Sequence, residues 1–111
     1  MTSARRTALL KGTLDLLVLR PLALEPRHGL AIADRIAQIT RGAFVVKAGS
    51  LFPALQRLEQ EGFVAGTWGE SEAGYRVKSY RLTAAGRRQL AREKQHWARV
   101  VLAMAQVLES E

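Results

Sequence analysis

The sequence predicts a mainly α-helical fold with a small β-hairpin: a winged helix-turn-helix followed by a long C-terminal dimerisation helix. Three observations predict it. A short helix around Leu51–Gln60 carries its own start and stop signals and an outer face rich in amides. Two β-prone runs with a polar loop between them follow directly. The chain then ends in an apolar-periodic helix from Thr83 to about Leu108, longer than so small a domain needs. Residues 1–82 are assigned to the winged unit and 83–111 to the appended helix.

Composition narrows the function classes. With 111 residues and 48% hydrophobic residues, the chain can bury a real core and is not disordered through lack of apolar residues. There are 17 Lys and Arg against 10 Asp and Glu, a net charge of +7 and a pI near 10.8. A balance this basic favours a polyanionic partner, nucleic acid first and an anionic membrane surface second. Cysteine is absent, which removes disulfides and thiolate metal sites and fits a reducing cytoplasm. The opening Met1-Thr2-Ser3-Ala4-Arg5-Arg6 lacks the apolar stretch of a secretory leader. The apolar run from Leu14 to Leu24 is broken by Asp15, Arg20 and Pro21, so no membrane span is expected. His28 and His96 stand far apart, no ligand cluster has metal spacing, and neither a phosphate loop nor GxSxG occurs. No metal, no cofactor and no enzymatic activity are therefore expected.

The elements follow from periodicity and punctuation. Leu10, Leu14, Leu17 and Val18 have helical spacing, in a helix capped by Thr13 or starting near Thr7 with Gly12 tolerated inside it. Pro21 ends it, kinks it or tightens its last turn. Glu25–Gly29 reads as a turn. A second helix covers about Gly29–Thr40, with Ile32, Ile36 and Ile39 as its apolar stripe and Gly42 as its closing cap. Ala43–Lys47 is β-prone, either an edge strand or an extended linker. In the helix that follows, Ser50 is the expected N-cap, Pro53 lies in the first turn, and Gly62 closes the end. At about 100° per residue, Leu51, Leu55 and Leu58 face inward, while Pro53, Gln56 and Gln60 face outward with Phe52 and Arg57 at the edges. Amide and guanidinium groups on an outer face can read base edges in a major groove.

The hairpin strands are expected at Phe63–Gly69 and Arg76–Leu82, joined by Glu70–Tyr75. Arg76, Lys78 and Arg81 alternate with Tyr75 and Tyr80, a pattern suited to phosphate and sugar. Glu70 and Glu72 make the tip acidic, so the stems rather than the tip are expected nearest DNA. Thr83 caps the last helix. On it Leu90, Trp97, Val101, Met104 and Leu108 approximate a heptad seam, widened by Val100 and Val107. That distal stripe needs a partner, the first helix, a second subunit or both, and a homodimer is the expectation.

Four blocks of text also resemble one family. They are Leu10-Lys11-Gly12-Thr13-Leu14-Asp15-Leu16-Leu17-Val18-Leu19, then His28-Gly29, then Gly49-Ser50-Leu51-Phe52-Pro53-Ala54-Leu55 with Arg57-Leu58-Glu59 and Glu61-Gly62, then Tyr80-Arg81-Leu82-Thr83-Ala84-Ala85-Gly86. In order and spacing they resemble the PadR family of bacterial transcriptional regulators, in its short form with a single C-terminal helix. The resemblance implies a cytoplasmic, dimeric, DNA-binding repressor released by a small effector. Carried over by position, it places Ser50, Phe52, Pro53, Gln56 and Arg57 at the DNA, with Arg76 and Lys78 on the wing. Gln60 joins them from the face count alone. Some members of the family bind flat aromatic compounds at the dimer interface through a Trp on the last helix, which Trp97 resembles; the other reading of Trp97 is a residue packed in the seam with Val100, Val101, Met104 and Leu108. Phe52 stands where the family usually has Tyr, Leu30 replaces a Tyr, and Ser79 replaces an aromatic. A basic helical protein-interaction module with weak DNA binding is the second reading.

Overall fold

The computed structural model describes residues 11–111. Helix α1 covers Lys11–Leu19 and runs into a 3₁₀ turn at Arg20–Ala23. Then come β1 (Arg27–His28), α2 (Gly29–Ile39), α3 (Ala48–Gln60), β2 (Val64–Glu70), β3 (Arg76–Leu82) and α4 (Ala84–Glu109). The architecture is a winged helix: α2 and α3 form the helix-turn-helix, β2 and β3 the wing, and α1 and the base of α4 close the core.

Pro21 tightens the end of α1 rather than stopping the chain, because a ring without an amide hydrogen fits the start of a 3₁₀ turn. Val18, Leu19 and Leu22 are thereby buried. The expected start near Thr7, Leu10 of the apolar stripe, and the basic pair Arg5 and Arg6 lie outside the described residues.

The expected turn at Glu25–Gly29 contains a strand instead. Arg27 and His28 pair antiparallel with Tyr80 and Ser79, giving sheet order β1-β3-β2. Two residues cannot announce a strand by alternation; their partner lies far along the chain.

In α2, Ile32 and Ile36 are buried, but Ile39 is 56% exposed. The last turn of α2 passes beyond the core, so Ile39 lines a shallow groove of about 290 Å³ beside Leu16, Leu17 and Pro21. Gly42, at φ +82°, closes the helix by donating to Ala37 O at 2.8 Å. Residues 43–47 form an extended linker, with Val46 turned into the core.

Helix α3 begins earlier than expected. Lys47 is the N-cap residue, and its carbonyl accepts from the amides of Ser50 and Leu51 at 2.9 Å each. Ser50 is therefore an exposed first-turn residue and caps nothing. Pro53 falls inside the helix, where it cannot supply the i+4 amide hydrogen to the Gly49 carbonyl. The core face is as expected: Leu51, Leu55 and Leu58 are fully buried. Each contributes on the order of 1.5–3 kcal/mol by leaving water. Gly62 (φ +81°) ends α3, with Phe63 N donating to Leu58 O at 2.9 Å and Gly62 N to Glu59 O at 3.0 Å.

Thr83 joins the wing to the last helix. Its hydroxyl accepts from Gly86 N at 3.0 Å and donates to Gly62 O at 2.6 Å, so one side chain ties the end of α3 to the start of α4. At Gly86 the helix meets the Phe63 carbonyl so closely that a Cβ would collide with it. Along the 26 residues of α4 only Gly86 and Leu90 are buried. From Ala91 to its end, α4 has no buried residue.

Candidate nucleic-acid interface

The outward side of α3 presents Ser50, Phe52, Pro53, Gln56 and Gln60, all exposed. Phe52 is 41% exposed, its ring lying over the N-terminus of α2, where a Cβ on Gly29 would come within 2.6 Å of Phe52 Cε1. Only glycine lets the ring lie there. Between the start of α2, the outer face of α3 and the wing runs a groove of about 980 Å³. Phe52, Gln56 and Gln60 form one wall, Trp68, Arg76, Lys78 and Tyr80 the other, and Gly29, Leu30 and Ala31 one end.

Strand alternation builds the second wall. Register pairs Glu70 with Arg76, Trp68 with Lys78, Gly66 with Tyr80 and Val64 with Leu82, so these residues share one face of the wing. Val64 and Leu82 anchor that face in the core, and beyond them it turns polar toward the groove. The Arg76 guanidinium lies 4.7 Å from the Trp68 ring centroid, a cation–π contact on an indole that is 55% exposed. Trp68 was not among the residues expected from the sequence. Its signal was there: it alternates in step with the cationic stem across the hairpin.

Two expected DNA contacts are otherwise engaged. Arg57 turns toward α1, not toward the groove. Its Nη2 donates to Asp15 Oδ1 at 2.7 Å and its Nη1 to Oδ2 at 3.1 Å, a two-pronged pair with a carboxylate whose side chain is only 9% exposed. A second carboxylate, Glu61, stands 3.9 Å away. The Asp15 hydrogen bond raises the guanidinium pKa above the usual arginine value, against an opposing effect of burial. A buried carboxylate inside an apolar helix needs a partner, and among the described residues Arg57 reaches it. The second is Lys78, whose Nζ donates to Glu59 Oε1 at 2.9 Å across the groove. That hydrogen bond raises the lysine pKa.

The remaining expected residues separate by position. Arg76 lines the groove, whereas Tyr75 (71% exposed) and Arg81 lie outside it. Ser79, in the place of an aromatic, lies 3.0 Å from His28 Nδ1 and ties β3 to β1. On α4, Trp97 and Val100 are half-buried, while Val101 (60%), Met104 (54%) and Leu108 (77%) stand exposed along one stripe. Trp97 meets His96 edge to face at 6.5 Å. Among the described residues no group of three His, Cys, Asp or Glu is placed to hold a metal, and no helix is long and apolar enough to cross a membrane. The groove thus offers amides, aromatic faces and a stacked guanidinium.

Known proteins share this fold. A model of the Transcriptional regulator PadR-like family matches residues 18–92. A PadR-like transcriptional regulator from Bacillus cereus is 30% identical, with 92% of this chain and 97% of that one covered and a TM-score of 0.77. A PadR family transcription regulator from Clostridium difficile is also 30% identical, over 86% of this chain and 97% of the other, at a TM-score of 0.75. A transcriptional regulator from Clostridium thermocellum is 25% identical, with coverage of 86% and 93% and a TM-score of 0.79. This chain belongs to the PadR-like family of DNA-binding transcriptional regulators.

Proposed function

We propose that the chain is a dimeric repressor that sets α3 into the major groove of an operator half-site, with the wing along the neighbouring backbone. The observation that carries this reading is the free outer face of α3, where Gln56 and Gln60 stand exposed beside a groove walled by Arg76 and Trp68. A carboxamide can both donate to and accept from an adenine edge. Ser50, Phe52 and Pro53 lie exposed at the N-terminal end of the same face, where this reading sets them toward phosphates. Phe52 lacks a hydroxyl, so it contributes apolar contact to sugar or thymine methyl. Arg57 leaves the set of base-reading residues, and Arg76 becomes the principal cation of the wing. The net charge of +7 adds a long-range pull toward DNA.

The second subunit covers the distal half of α4. Val101, Met104 and Leu108, with Trp97 and Val100 beside them, form an apolar stripe that no other described residue of this chain buries. Two copies facing each other through that stripe would present two recognition helices to successive half-sites. An effector entering at Trp97 would shift the angle between them and release the operator.

Selection of bound duplexes from a random pool tests the reading. The expected result is an inverted repeat, bound with a steep salt dependence. Gln56→Ala then costs about 1–3 kcal/mol at one base pair in each half-site and little elsewhere. Equal affinity for all duplexes, at every salt concentration, would overturn it.

A further inference from the structure

We propose that Lys78 is a positioning residue, a latch that holds the wing against the recognition helix through Glu59, and not a contact to DNA phosphate. This rests on the DNA-binding reading above and changes the task of one residue in it.

Four observations carry the latch. Lys78 Nζ lies 2.9 Å from Glu59 Oε1, joining β3 to α3 across the groove. The same ammonium lies 5.3 Å from the Tyr80 ring centroid and 5.8 Å from that of Trp68. It is thus held by a carboxylate and two aromatic faces at once, with its side chain 25% exposed. The route is prepared by Gly66 on β2, between the two partners. A Cβ there would collide with Lys78 Cε and come within 3.1 Å of Glu59 Oε2. Gly66 has a negative φ and needs no glycine for backbone reasons, so the missing side chain serves the crossing of Lys78.

The consequence is electrostatic as well as mechanical. A lysine spent on a carboxylate releases few counterions from DNA. Glu59 therefore keeps one cation of the wing out of the non-specific attraction, while the pair fixes the stem that carries Trp68 and Arg76. Affinity then depends on wing placement, and the wing's own salt dependence falls to Arg76 and Arg81.

Two measurements test this on the full chain. In the free protein, hydrogen exchange reads the amides of residues 64–70 and 76–82. Lys78→Glu faces Glu59 with a like charge, and the wing amides should lose about two- to fivefold in protection, the range a partly exposed ion pair supports. The exchanged pair Glu59→Lys with Lys78→Glu keeps the combined side-chain length and should restore protection. On the selected duplex, Lys78→Gln should weaken binding and leave the slope of log K against log salt unchanged. A slope shallower by about 0.9 would mean a lost phosphate contact and would overturn the proposal. So would an exchanged pair whose wing is as open as that of Lys78→Glu alone. If the wild-type protein bound no duplex, the DNA-binding reading would fail, and the exchange measurement would still decide whether the latch exists.

Discussion

Removing the Arg57 side chain should unfold the protein more easily, not blur its reading of DNA. In Arg57→Ala the Asp15 carboxylate, with 9% of its side chain exposed, keeps its burial and loses both of its guanidinium donors. Breaking a buried pair from one side costs about 3–5 kcal/mol. Here the guanidinium side chain is 29% exposed and water reaches the pair from that side, so about 2–3 kcal/mol is the appropriate figure. For a domain of this size that corresponds to a fall in Tm of about 8–12 °C. The reverse change, Asp15→Ala, should cost only about 1 kcal/mol, because Arg57 can extend into solvent and remains near Glu61. Replacing both by leucine should recover most of the loss, since no buried charge remains. Thermal and urea unfolding of the four proteins measure these differences. The operator preference of the double variant measures the rest, and it should match the wild type. The reasoning fails if Arg57→Ala melts within about 2 °C of wild type yet loses base preference at one position.

Three further outcomes are expected. Gly86→Ala, which drives a methyl into the Phe63 carbonyl, should cost about 3 kcal/mol, near the upper end for overpacking, and urea unfolding would show it. Met104→Glu places a charge in the middle of the exposed stripe on α4, and sedimentation should then show single chains of 12.3 kDa with sharply weakened operator binding. The raised Lys78 pKa sets the sign of a pH effect: its stabilisation is complete below the unfolded lysine value of about 10.4 and is lost as pH rises through the folded value. The Tm difference between wild type and Lys78→Met should stay constant from about pH 6 to about pH 9 and shrink above about pH 10.5.

The two glutamines and the two charged residues on α3 show how far spacing reaches. Angular position on the helix was enough to place Gln56 and Gln60 outside and Leu51, Leu55 and Leu58 inside, because 3.6-residue periodicity is a local property. The same count put Arg57 at the edge of the outer face, which is where its backbone lies. Its side chain is long enough to choose between solvent and α1, and Asp15 made that choice from 42 positions away. Lys78 repeats the lesson. Alternation placed it on the cationic stem, but Glu59 and the space over Gly66 decided where its charge went.

The order of helices and hairpin, the Schellman end at Gly62, the Thr83 cap and the apolar stripe of α4 were determined by the sequence itself. Each depends on residues within one or two turns of one another, and local sterics and hydrogen bonding act on them whatever the rest of the chain does. Only the tertiary structure decided that Arg27 and His28 form a strand, that Ile39 stays exposed, that Trp68 stacks with Arg76, and that two of the expected DNA cations are held by carboxylates. Those outcomes depend on which distant group arrives within about 3–5 Å, and a buried or half-buried charge takes whichever partner the fold delivers.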